Sequence, residues 1–292
     1  MSAGLPPAAH AAALAGFERM SVHRLLALLR HHAPEHALAI AVGDAPPPPD
    51  GLIAKVLTDD DVRAAWRRSG RSITPASMWE RCGELGLDVS YVGGPGHPRV
   101  LAADPLPPPV LFSRGDRSLL DGRRVALVGT RNATAAGRHV ARRFGNGLAR
   151  LGVNVVSGLA RGIDGEAHAG TLAGGAPGGG GPIAVVASGL DVVYPKEHRR
   201  LWQQVAERGV LLSESPPGTT PLAHLFPLRN RVIAGLAEVV VVVESRERGG
   251  SLITAALAAE RGIPVMAVPG SATSRAALGV NALLRDGSAP AL

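Results

Sequence analysis

From Arg123 onward, short apolar runs return at regular intervals with amphipathic stretches between them, and this alternation constrains the fold more than any other feature of the chain. The runs are Val125–Val128, Val153–Val156, Ile183–Val186, Val210–Leu212, Val239–Val243 and Val265–Val268. Helical stretches such as Ala135–Leu151, Glu197–Glu207 and Leu252–Arg261 lie between them. A run that is apolar on both faces has no solvent side, so it belongs to a sheet covered above and below. Helices between such runs give parallel strands joined by right-handed crossovers. The expected class is α/β, with a doubly wound, mainly parallel sheet over residues 123–292. The glycine tract Gly174–Pro182 reads as a mobile connection into the third strand and not as a binding loop.

The preceding residues have a different texture. Leu25, Leu26, Leu28 and Leu29 fall at helical spacing, the run Pro46–Pro49 interrupts, and further helical stretches follow at Asp59–Arg68 and Pro75–Gly86. Residues 1–89 are therefore expected to form a small helical N-terminal domain, SAM-like or a degenerate version of one. Residues 90–122 are rich in proline and glycine and read as a linker or as an extension of the sheet domain.

Composition narrows the function. The formal net charge of +7 suits an anionic partner without saying which. Only two of the 31 basic residues are lysines, Lys55 and Lys196, so the position of Lys196 among the strand ends is notable. A single cysteine, Cys82, excludes an internal disulfide and a cysteine-based zinc site. The N-terminus has no basic segment ahead of an apolar stretch, and the apolar runs are too short for a bilayer, so a cytoplasmic protein without membrane contact is expected.

In an open parallel sheet, ligands bind beyond the carboxyl ends of the strands, where loop amides and helix starts converge. The exits here are Gly129-Thr130-Arg131, then Ser157-Gly158-Leu159-Ala160-Arg161-Gly162-Ile163-Asp164, then Ser188-Gly189-Leu190-Asp191 leading to Tyr194-Pro195-Lys196. The fourth runs to Phe226-Pro227-Leu228-Arg229-Asn230-Arg231, and the fifth gives Glu244-Ser245 followed by Gly249-Gly250-Ser251. Glycine lets amides approach a phosphate, serine and threonine add hydroxyls, and arginine supplies a planar fork. Together they predict an anion-binding edge. Taken singly, each has a structural alternative. Asp164 reads as a helix N-cap, Arg161 as a bridge to Asp164 or Glu166, and Arg229 and Arg231 as solvated helix residues.

Other chemistries lack their signatures. The first turn is not GxGxxG, so a dinucleotide cofactor is disfavoured, and no cofactor is expected. There is no GxxxxGK[ST] and no GxSxG. Asp164 and His168 stand at i,i+4, but with no third ligand a packed histidine is the expectation and no metal site is assigned. No pair of carboxylates suited to glycoside chemistry can be located, and no catalytic residue is assigned.

The segments PPPVLFSRGD, VALVGTRNAT, VVSGLARGIDGEAH, SGLDVVYPKE, LLSESPPG, FPLRNRVIAGLAEVVVVVES and GGSLITAALAAERG resemble the DprA/Smf family of DNA-processing proteins in order and spacing. The resemblance runs from about Pro107 to Ser288. It implies an extended Rossmann-like domain that binds single-stranded DNA, forms a homodimer and helps load the RecA recombinase during natural transformation, without catalysis. By the same resemblance, Gly129, Thr130, Arg131, Ser157, Gly158, Arg161 and Gly162 match phosphate-binding positions. Lys196 matches a DNA-contacting lysine, Arg229, Asn230 and Arg231 match an RNR segment, and Gly250 and Ser251 open the next helix. His198, Gly249 and Val280 depart from the family pattern, and residues 10–88 carry no helix-hairpin-helix signature. Many relatives continue into a winged-helix-like domain, whereas this sequence stops at Leu292. The competing enzyme reading is a phosphoribohydrolase of the lysine-decarboxylase-like (LOG) type, with its PGGxGTxxE loop. The nearest stretch, Arg248–Thr254, is followed by no glutamate at the required offset.

Overall fold

The computed structural model describes residues 4–175 and 178–291, so Ala176 and Pro177 of the glycine tract lie outside the described residues. The chain forms two compact units. One holds the described residues up to Ser113 with Glu214–Thr219, and the other holds Arg114–Ser213 with the residues from Thr220 onward.

The first unit begins with helices α1 (Pro7–Ala15), α2 (Val22–His31), α3 (Pro34–Val42), α4 (Gly51–Val56), α5 (Asp60–Ser72) and α6 (Pro75–Glu84). Their starts are chemically marked. The Ser21 hydroxyl accepts from the Arg24 amide, the Asp59 carboxylate accepts from the Asp61 and Val62 amides, and Thr74 and Ser77 form a reciprocal capping box. The leucines at helical spacing, Leu25, Leu26, Leu28 and Leu29, are all buried, as is Trp66. The proline- and glycine-rich stretch that follows is not featureless. Strand β1 (Asp88–Tyr91), the single turn α7 (Arg99–Ala102) and strand β2 (Val110–Gly115) occupy it, with β1 and β2 antiparallel.

The second unit carries β3 (Arg124–Gly129), β4 (Asn154–Ser157), β5 (Pro182–Val185), β6 (Val210–Ser213), β7 (Val239–Glu244) and β8 (Val265–Ala267). They lie side by side in the order β6-β5-β4-β3-β7-β8, with parallel pairing throughout. The six apolar runs of the sequence are these strands, and the doubly wound class holds. Helices α8 (Ala135–Arg150), α9 (Ile163–Gly174) and α10 (Arg199–Arg208) pack in sequence on one another. Helices α11 (Leu225–Leu236) and α12 (Gly250–Ala259) pair with each other, and α13 (Leu278–Arg285) sits against β7 and β8. With right-handed crossovers, the first three helices cover one face of the sheet and α11 and α12 the other.

The centre of the core is Leu127, Ala141, Val155, Ile163, Ala167, Val241 and Val243. Each large apolar side chain buried there contributes roughly 1.5–3 kcal/mol. Helix α8 turns the small residues Gly137, Ala141, Gly145 and Ala149 inward at four-residue spacing, which lets α9 lie close against it. Among the described residues no helix is long and apolar enough to cross a membrane.

Candidate functional site

The strand order reverses between β3 and β7, and this reversal opens a crevice at their carboxyl ends. Pairing there slips at Val128/Gly129, where Gly129 faces Glu244, and the two chains part. The Thr130 amide donates to the Glu244 carbonyl at 2.7 Å. The buried Glu244 carboxylate accepts from the Thr134 amide at 3.0 Å and the Thr134 hydroxyl at 2.5 Å, and that hydroxyl accepts the Gly137 amide at the start of α8. The turn is thereby fixed and Arg131 is left exposed. Its guanidinium lies 4.6 Å over the Phe226 ring, which in turn meets Tyr194 at 5.6 Å.

The SGLARGID loop is built from inside. The buried Ser157 hydroxyl donates to the Leu127 carbonyl at 2.6 Å, so it braces β4 against β3. The Gly158 amide donates to the Asp164 carboxylate at 3.1 Å, while the Gly158 carbonyl accepts from Arg229 at 2.8 Å. Arg229 also donates to the Val185 carbonyl. Leu159 has a left-handed backbone at φ 54° although its side chain is fully buried, and its carbonyl accepts from His198 Nδ1 at 3.0 Å. Gly162 has φ 74°, and a Cβ there would collide with the Thr130 carbonyl.

Asp164 is not the N-cap that its position suggests. Gly162 occupies that place, and Asp164 sits one turn-position inside α9 with only 6% of its surface exposed. Burial pushes its carboxyl above the usual range, while Arg229 and the Gly158 and Ala160 amides pull it back. Burial likewise pushes Arg229 down to about 10, opposed by Asp164. Arg229 and Arg231 are buried residues, at 7% and 4% exposure, and not solvated ones. Arg161 does not bridge to Asp164 or Glu166. It is exposed and pairs with Glu197. The Glu197 carboxyl is held low by its own backbone amide first and by Arg161 next.

Of the remaining expected residues, Gly250 and Ser251 line the same cleft as Arg131, whereas Lys196 lines neither that cleft nor the groove beside it. Gly250 is exposed at the start of α12, and its carbonyl accepts from the Asn230 amide group at 3.4 Å. Ser251 is buried and donates to the Ser245 hydroxyl at 2.9 Å. Lys196 is exposed and opens a one-turn 3-10 helix, Lys196–His198. Gly129, Thr130, Arg131, Arg229, Asn230, Gly250 and Ser251 all line one cleft of about 370 Å3. Arg161 and Gly162 line a neighbouring groove, which meets the cleft at Arg131, Asn132 and Ala160. Arg246, Arg248 and Phe226 line the cleft as well, and sequence reading passed over them. A signal was available for Arg246 and Arg248 in their loop positions beside Gly249, while Phe226 lies in the first turn of α11. Asp164 and His168 both lie buried, and among the described residues no group of three His, Cys, Asp or Glu side chains is placed to hold a metal.

Known proteins place this arrangement in context. Residues 89–292 match the DNA recombination-mediator protein A family. The DNA processing protein DprA of Bacillus subtilis is 42% identical over 206 residues, covering 70% of this chain and 68% of that protein. Matches span from about half to two-thirds of the length of the curated relatives. Among solved structures, DNA processing protein A of Streptococcus pneumoniae superposes with a TM-score of 0.79 at 30% identity, covering 99% of this chain and 95% of that one. DNA processing protein A of Helicobacter pylori, studied for its single-stranded-DNA-binding mode, gives a TM-score of 0.63 at 28% identity over 70% of this chain and 89% of that one. With this fold, this site and a family match across most of its length, the chain belongs to the DNA recombination-mediator protein A family.

Proposed function

We propose that the protein grips single-stranded DNA by its phosphates in the switch-point cleft and works in the cytoplasm in DNA processing, helping to load a RecA recombinase during natural transformation or a related task. The observation that carries the reading is the convergence, in one cleft, of an exposed Arg131, the open start of α12 and the backbone of two glycine turns. Backbone amides and guanidinium groups of this kind suit a polyanion and carry no base code. We read the role as binding and not turnover; in support, Arg229 inside the cleft is committed to the Gly158 and Val185 carbonyls and Asp164 to the Gly158 amide.

The roles divide by exposure. Arg131, Lys196 and the amides of Gly129, Gly162 and Gly250 face the strand, while Thr130, whose amide is bonded to the Glu244 carbonyl, fixes the turn. Ser157, Gly158, Arg229, Arg231 and Ser251 hold the loops that present them. Phe226 and Tyr194 add a stacking surface beside Arg131, so a base can rest on a ring while its phosphate is held. Homodimerisation would put two such clefts on one strand and raise avidity without new contacts. The hydrolase alternative gains nothing from the cleft, whose α12 loop offers no glutamate at the needed offset.

The test is binding of labelled oligothymidylate at several salt concentrations. On single strands the slope of log K against log salt is about −0.7 per phosphate neutralised, so three or four phosphates give roughly −2 to −3. Arg131→Ala is expected to remove about 0.7 of that slope and to weaken all sequences alike. A flat salt response, or loss confined to one sequence, overturns the reading.

A further inference from the structure

Beyond Arg131, Gly162 and Tyr194 at its near end, the groove beside the cleft has no role in the function proposed above. It measures about 1060 Å3 and runs over α8, α9 and α10, from Gly162 at the start of α9 to Ala173 near its end. At 1.5 Å per helical residue that is about 17 Å. Its walls are charged where small-molecule sites are mostly apolar. Arg138 and Arg142 come from α8, Arg161 from the loop before α9, and Arg200 from α10, against two carboxylates, Glu166 and Glu197.

We propose that this groove carries the continuation of the same single strand as it leaves the switch-point cleft, with Arg138, Arg142, Arg161 and Arg200 as further phosphate contacts. The proposal rests on the reading that the cleft holds single-stranded DNA. Arg131 and Asn132 line both depressions, so a strand seated at Arg131 passes from one into the other without crossing a wall. The two opposing carboxylates do not close the path. The Arg142–Glu166 pair at 2.7 Å has 55% and 26% of its side-chain surface exposed, and the Arg161–Glu197 pair has 62% and 48%. Exposed pairs of this kind are worth about 0–1 kcal/mol, so a phosphate can displace either carboxylate. Arg208 marks the far end, where it donates to the Leu172 carbonyl at 2.8 Å and serves the end of α9 instead of the strand.

The experiment compares an oligothymidylate of about 6 nucleotides with one of about 20, one near the lower end and one beyond the upper end of the ~4–16 nucleotides that a single-strand-binding domain covers. The variant Arg138→Gln/Arg200→Gln changes two exposed helix positions and leaves the cleft intact. The long strand is expected to lose affinity and about 1.4 in salt slope, while the short strand binds as before. An unchanged long strand, with normal binding of the short one, overturns the groove proposal and leaves the cleft reading standing. Failure of the unmodified protein to bind either strand overturns both. Loss of polyglutamate binding by the double variant, with the long strand unaffected, would make the groove a seat for an acidic protein segment and also overturn the proposal.

Discussion

Replacing Arg229 by methionine tests the interior of the site. Methionine keeps most of the side-chain length but removes the charge that faces the buried Asp164 and the donors to the Gly158 and Val185 carbonyls. Arg229 and Asp164 make no direct ion pair, but each is buried and feels the other's charge, and removing the compensation of a buried charge costs up to about 3–5 kcal/mol. That is a large part of the roughly 5–15 kcal/mol that holds a typical domain together. The loss also has a pH signature. Burial already raises the Asp164 carboxyl, and without Arg229 it rises further. A group raised in the folded state contributes stability below its unfolded pKa and loses that contribution as pH climbs through the folded one. The gap between Arg229→Met and the parent should therefore be smallest near pH 4.5, where the lost donors to the two carbonyls account for it, and widen toward about pH 8. Urea unfolding followed by circular dichroism measures this directly. Adding Asp164→Asn to Arg229→Met should recover about 2 kcal/mol or more at neutral pH. A gap below about 1 kcal/mol, or one that does not change with pH, would refute the view that Arg229 neutralises Asp164.

Three further outcomes follow from neighbouring residues. Burial pushes His168 from 6.5 down to about 3, so it stays neutral in the folded chain, and stability should fall by about 2 kcal/mol between pH 6.5 and pH 5 as the unfolded state takes up the proton. His168→Leu should flatten that part of a stability-versus-pH curve, and an unchanged slope would assign it elsewhere. Gly162→Ala, with its φ of 74° and the Thr130 carbonyl in the way, should lower the unfolding free energy by about 1–3 kcal/mol and weaken DNA binding. A variant with full stability and affinity would show that the turn tolerates a side chain. Glu197→Gln should free Arg161 and tighten single-strand binding about two- to fivefold at low salt. Filter binding that shows weaker or equal affinity would mean Arg161 is not available to the strand.

The strands were legible because burial on both faces leaves a plain mark. Each of the six apolar runs lies within one residue of a strand end. Helices α1 and α3 were not, since α1 buries Ala9, Ala11, Ala12 and Ala13, and alanine gives no strong apolar period. The strand-end rule gathered residues that the fold does bring to one edge of the sheet, but it could not sort exposed from buried ones. Arg229 and Arg231 carry the charge of surface residues, and for Arg229 it is Asp164 and the surrounding carbonyls, brought in by other segments, that explain an interior place. Phe226 and Tyr194 were diluted in a chain with 3% aromatics, although the fold concentrates them beside Arg131. The arginine groove drew on α8, α9 and α10 at once, so no single stretch announces it.

The carboxylate of Glu244, bound to the start of α8, has a consequence for how a guest chain is oriented. Each helix that begins along this rim exposes a partial positive pole. At α8 that pole is quenched by Glu244, and at α9 by Asp164 and Glu166 in its own first turn, whereas the first turn of α12 has no acid. The rim is thus lopsided: the poles of α8 and α9 are answered from within, while those of α11 and α12, on the other face of the sheet, meet no acid in their own first turns. On the reading proposed above, a polyanion settling there would meet its strongest attraction on the α11–α12 side of the crevice, which would bias how it lies before any base is read.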